Sequence, residues 1–129
     1  MMETTILLLM ILCHIIDDFV LQPICLSNLK QKEWWIRHIN GKKYLLYKHD
    51  YKMALLMHSM SWSVMILLPI MLLTQTPQIL LLTAFLVNTL THYTIDDLKA
   101  NKGSINLITD QGIHLAQVLL TWFVLVAIL

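Results

Sequence analysis

Apolar residues fall along this chain in four long blocks. They cover about residues 4–21, 53–73, 78–95 and 107–129. Each block approaches the ~20 residues that carry an α-helix across ~30 Å of hydrocarbon. A soluble helical bundle would leave each helix a continuous polar face, and these blocks are apolar nearly all round. The pattern predicts an all-α, polytopic membrane protein. Its four transmembrane helices form an antiparallel bundle, one domain over residues 1–129.

The connections between blocks differ. The first spans residues 27–52 and is polar; the second is only Thr74-Gln75-Thr76-Pro77, a tight turn; the third covers 98–106 and contains Gly103. Within the first, Asn40-Gly41 lies between Trp35-Ile36-Arg37-His38-Ile39 and Lys42-Lys43-Tyr44-Leu45-Leu46. Asn-Gly between β-prone runs signals a hairpin. An interfacial helix anchored by Trp34 and Trp35 is the alternative, and both stay open.

Composition agrees with the pattern. Of the 129 residues, 57% are hydrophobic and 13% charged, and the mean hydropathy is +0.66, whereas soluble domains carry about 25% charged residues. A net charge of +1 gives no ground for a nucleic-acid partner. No basic segment precedes the first block and no small-residue cleavage site follows it, so no secretory leader is expected. Cys13 and Cys25 lack CxxC spacing and read as apolar fillers.

Basic residues orient the bundle. Lys30, Lys32, Arg37, Lys42, Lys43, Lys48 and Lys52 lie in the first connection, and Lys99 and Lys102 in the third. These account for all nine Lys and Arg of the chain. The positive-inside rule then predicts both connections (27–52 and 98–106) in the cytoplasm and both termini outside, in a bacterial inner membrane. The basic run also suits attraction to anionic lipid.

Ionisable residues inside spans are costly, and each is by default a functional hypothesis. The first block carries His14, Asp18 and Gln22 four apart on one stripe, with Asp17 about 100° away, where it either supports the ligands from behind or faces an aqueous opening. The second carries His58. The third carries Asn88, His92 and Asp96, followed by Asp97 and Lys99, and the fourth opens on Asp110 and His114, with Gln117 and Thr121 continuing that side. In an antiparallel bundle all of these histidines and aspartates fall in the half nearest the basic connections. Hydrogen-bonded pairs that merely glue helices, at ~0.6–2 kcal/mol each, need no such alignment in depth. Leu12-Cys13-His14-Ile15-Ile16-Asp17-Asp18 also echoes Leu90-Thr91-His92-Tyr93-Thr94-Ile95-Asp96-Asp97, which suggests two related helical hairpins.

Imidazole with carboxylate suits Zn, Mn, Fe or Ni better than Cu(I), and helical bundles house two metals on such residues. The candidate metal ligands are His14, Asp18, His58, His92, Asp96, Asp110 and His114, holding one or two divalent ions (Zn, Mn or Fe). Asp18, Asp96 and Lys99 are the candidate catalytic residues, and Gln22 and Lys99 the candidate substrate contacts. His38 and His49 read as solvated, and Trp62 and Trp122 as packing. The chain has no GxSxG, so covalent catalysis is not expected.

His14-Ile-Ile-Asp-Asp18-Phe-Val-Leu-Gln22, His58, Thr91-His92-Tyr-Thr-Ile-Asp96-Asp-Leu-Lys99 and Asp110-Gln111-Gly-Ile-His114 together resemble the DUF3307 family, small membrane proteins of bacteria and their phages. The likeness runs over essentially the whole chain. It implies that Asp18, Gln22, His92, Asp96, Lys99, Asp110 and His114 belong to the family's pattern, and it supplies no reaction. The expected function is metal-dependent hydrolysis of a phosphate ester, lipid-linked or free, at the cytoplasmic face. The alternatives are a protein that conducts or senses protons or metal ions, and a small membrane partner of phage or host proteins. Expected partners are membrane lipids and either a second copy or another membrane protein.

Overall fold

The computed structural model describes residues 1–39 and 41–128, with only the backbone at residue 42. The described residues are mostly helical, with no strand among them. Helix α1 (Met2–Ile15) continues without a break into a π-helical turn, Ile16–Leu21. Three short helices follow: α2 (Ile24–Leu29), α3 (Lys32–His38) and α4 (Lys42–Tyr47). The long helices are α5 (Asp50–Leu73), α6 (Gln78–Ala100) and α7 (Leu107–Trp122), the last continuing as a π-helical segment over Phe123–Ile128. Four helices are long and apolar enough to cross a membrane.

These helices close into a ring. α1 packs on α5 and α7, and α6 packs on α5 and α7. Every neighbouring pair is antiparallel, as cross-helix contacts show. His58 of α5 meets His92 of α6, while Ser63, further along α5, meets the earlier Thr89. α7 likewise reaches Asp18 through Gln111 near its start, and Glu3 through Trp122 at its end.

The bundle is turned out for lipid. Leu8, Leu72, Leu90, Leu120 and other large apolar side chains are exposed, whereas the interior mixes apolar and polar groups. The half remote from the basic connections is closed by Ile6, Met10, Ile66, Leu67, Ile70, Val118 and Leu125. The half near the connections holds the polar residues.

The first connection is helical on both sides of Asn40-Gly41, which decides against a hairpin for its flanks; Asn40 itself lies outside the described residues. Local packing explains the preference. Trp34 stacks on His38 at 4.4 Å, and Trp35 stacks on Tyr47 at 6.0 Å while its Nε1 donates to Leu29 O. Gly41 takes a positive φ of 71°, a conformation open to glycine, and so lets the chain restart as α4.

Candidate metal centre

The candidate residues converge. His58 begins the third turn of α5, and His92 and His114 stand at similar distances from the ends of α6 and α7 nearest the connections. At 1.5 Å per residue these rings lie roughly 10–12 Å inside that end of the bundle. His92 and His114 are fully buried, and His14, His58, Asp17, Asp96 and Asp110 nearly so.

The π-helical turn determines what α1 contributes. Its i→i+5 geometry rotates the chain less per residue than an α-helix does, and such turns recur at functional sites. Asp17 and Asp18, adjacent in sequence, therefore both reach the interior. Asp17 Oδ1 accepts from Ser61 at 2.7 Å and its Oδ2 lies 3.6 Å from His58 Nδ1. Asp18 Oδ2 accepts from Gln111 at 3.0 Å and its Oδ1 stands 3.5 Å from His58 Nε2.

Around these side chains the ligand-type atoms face one another. His58 Nε2 and His92 Nε2 are 3.1 Å apart. Asp96 Oδ1 is 3.3 Å from His114 Nε2 and 3.7 Å from His92 Nε2, and Asp96 Oδ2 is 3.6 Å from His58 Nε2. Atoms held at 2.0–2.1 Å by a tetrahedral ion stand about 3.3–3.4 Å apart, so these spacings are close to those of a coordination shell. Two groups have their ligand-type atoms close enough together to hold an ion, Asp18–His58–His92 and His92–Asp96–His114. Asp18 Oδ1, Asp17 Oδ2 and Asp110 Oδ1 are buried with no hydrogen-bond partner among the described residues. Buried oxygens of this kind are costly unless something satisfies them.

His14 sits beside the centre in another role. Trp62 Nε1 donates to its Nδ1 at 2.9 Å. An indole N–H only donates, so Nδ1 is the unprotonated nitrogen and Nε2 of the neutral ring carries the hydrogen. The lone pair that would bind a metal is therefore in use. Trp62 also stacks on His92 at 4.3 Å, and His92 on His114 at 4.0 Å. Sequence pattern assigns Trp62 to packing; in the fold it also fixes His14 and forms one wall of the centre.

Two lysines approach from the membrane-surface end. Lys99 Nζ donates to Asp110 Oδ2 at 2.6 Å. Lys30, at the end of α2, is buried and donates to Asp96 Oδ2 at 2.6 Å and to Gln22 Oε1 at 3.2 Å. A polar cleft of about 250 Å³, lined by Gln22, Ser27, Lys30, Gln31, Asp96 and Lys99, opens at this end. A smaller one of about 140 Å³ brings Asp18, Asp110 and Gln111 to the same mouth.

A model of the "Protein of unknown function (DUF3307)" family matches residues 6–128. The chain belongs to the DUF3307 family. No curated protein and no solved structure matches it. The site of this DUF3307 chain thus rests on its own geometry. His14, Asp18, His58, His92, Asp96, Asp110 and His114 come together, with Gln22 and Lys99 at the cleft. His38 and His49 are exposed.

Spacing does not reveal Lys30 or the inward turn of Asp17. Lys30 lies among basic residues that read as a topology signal. Asp17 is off the stripe of a regular helix and enters it through the π-helical turn.

Proposed function

We propose that this protein is a membrane-embedded, metal-dependent hydrolase of a phosphate ester carried by a membrane amphiphile. The observation that carries the reading is the pair of His-Asp groups that share His92, Asp18–His58–His92 and His92–Asp96–His114, with Asp96 also lining a cleft beside Gln22, Lys30 and Lys99. A divalent cation there (Zn, Mn or Fe) would polarise a phosphoryl oxygen and make a water more acidic. The chain's own groups do the rest. Lys99 and Gln22 hold the phosphate, and Asp18 takes the proton of the attacking water. The new P–O bond replaces the ester P–O bond, and the leaving oxygen takes a proton from water at the open mouth to depart as the alcohol.

The depth of the centre supports an amphiphilic substrate. It lies one to two helical turns inside the end that carries every Lys and Arg of the chain, the level at which a headgroup meets hydrocarbon. By the positive-inside rule this end is cytoplasmic in a bacterial inner membrane, in a host or phage-encoded setting alike. The apolar plug from Ile6 to Leu125 across the other half weighs against ion conduction through a single bundle.

Phosphate release from phosphatidic acid in mixed micelles, and from a water-soluble phosphomonoester, tests the reading in protein loaded with Zn, Mn or Fe(II). Metal-dependent release that is lost in His92→Ala is expected. A metal-loaded protein inert toward both the lipid and the water-soluble phosphomonoester would overturn it.

A further inference from the structure

The two candidate ligand groups share His92. In both, His92 turns the same atom to its neighbours, Nε2 lying 3.1 Å from His58 Nε2 and 3.7 Å from Asp96 Oδ1. A neutral imidazole nitrogen has a single lone pair, so the two groups cannot each hold an ion at once. Charge points the same way. With the histidines neutral, as ligands must be, and the carboxylates ionised, Asp17, Asp18, Asp96 and Asp110 would bring four negative charges into the site against two positive ones on Lys30 and Lys99. The remaining two negative charges match one divalent cation.

In a two-metal site the ions lie ~3.5–4 Å apart and together clamp the attacking and leaving oxygens. Here the second oxygen of Asp96, the one that would reach another ion, is instead taken by Lys30 Nζ at 2.6 Å. Lys30 is built into that position. Asn101, just past the end of α6, donates from Nδ2 to Lys30 O at 3.1 Å and accepts from Lys32 N at 2.7 Å, and Asp97 Oδ1 holds the same amide at 2.8 Å. The joint between α2 and α3 is thus pinned over the bundle, and the Lys30 side chain is only 8% exposed.

We propose that the Lys30 ammonium stands in the place of a second metal ion. The centre takes one divalent cation, and Lys30, beside Lys99 in the cleft, supplies to a phosphate the positive charge that a second ion would bring. This inference rests on the metal-dependent reading above and fails separately from it.

Manganese loading of the detergent-purified protein, followed by 31P relaxation of added inorganic phosphate, tests both parts. One tightly bound Mn equivalent per chain is expected, with strong relaxation enhancement of the phosphate. Lys30→Met is expected to keep that equivalent and weaken phosphate binding at least about tenfold, and Lys30→Arg to retain most of the binding. Two equivalents in the unaltered chain, or unchanged phosphate relaxation in Lys30→Met, would overturn the inference and leave the metal centre standing. No bound Mn, Zn or Fe at all would overturn the metal centre itself. Should Lys30→Met fail to fold, the stoichiometry of the unaltered chain decides the ion count, and the neutral Lys30→Gln decides the phosphate contact.

Discussion

Lys30 and Asp96 stand 66 residues apart in sequence and 2.6 Å apart in the fold, both nearly excluded from solvent. Their pairing joins the first connection to the third membrane helix and closes the centre on its surface side.

Breaking a buried pair on one side costs about 3–5 kcal/mol where the remaining charge has no other partner. Here the histidines around Asp96 set that as the upper bound. In metal-free protein, Lys30→Met is therefore expected to lose up to that much stability against denaturant in detergent. Lys30→Met/Asp96→Leu is expected to recover most of it. A single variant as stable as the parent would show that the pair carries no structural weight.

Asp17 and Ser61 are expected to act on the metal without touching it. A ligating imidazole commonly gives its other N–H to a carboxylate, and removing that partner costs about 10–100-fold in metal affinity. Asp17 lies 3.6 Å from His58 Nδ1 and is held by Ser61 at 2.7 Å. Asp17→Asn should weaken zinc binding within that range in a chelator competition, and Ser61→Ala by less. Unchanged affinity in both would remove Asp17 from the centre.

Trp62→Phe keeps the stacking surface against His92 and removes the donor to His14 Nδ1. A buried acceptor left unsatisfied costs about 1–3 kcal/mol. The expected result is a stability loss of that size with metal content kept, since His14 Nδ1 offers its lone pair to Trp62. Loss of the metal would instead show that the bond from Trp62 to His14 supports the centre.

The four membrane helices are legible in sequence because each is an apolar run of spanning length. The stripes His14–Asp18, His92–Asp96 and Asp110–His114 are legible because i and i+4 share a helical face. Depth alignment of His58 with them follows from antiparallel chain direction alone. Three features are not legible, each for a local reason. Asp17 turns inward through a π-helical turn that departs from α-helical periodicity. Lys30 reaches Asp96 by a tertiary contact from a segment whose charges also satisfy the positive-inside rule. The helices α3 and α4 are fixed by aromatic stacking between Trp34, His38, Trp35 and Tyr47, which an Asn-Gly dipeptide does not encode.

Asn88, Gln117 and Thr121 form a second buried polar group, one turn further into the membrane. Asn88 Nδ2 donates to Thr121 Oγ1 at 3.0 Å, and Gln117 Nε2 donates to Asn88 Oδ1 at 2.8 Å. These bonds join α6 to α7, and interhelical bonds of this kind average about 0.6 kcal/mol and reach ~1.7 kcal/mol in bilayers. Asn88→Leu should lower thermal stability modestly and leave metal content untouched. Metal loss in Asn88→Leu would extend the centre beyond the His-Asp shell.

The metal content of the detergent-purified protein, measured by mass spectrometry beside the His92→Ala/Asp96→Ala variant, tests the centre most directly. One equivalent of a divalent transition ion per chain is expected, and its loss in the variant. No ion in either protein, even after reconstitution with Zn, Mn and Fe(II), would contradict the centre and leave the His-Asp pairs as hydrogen bonds between helices.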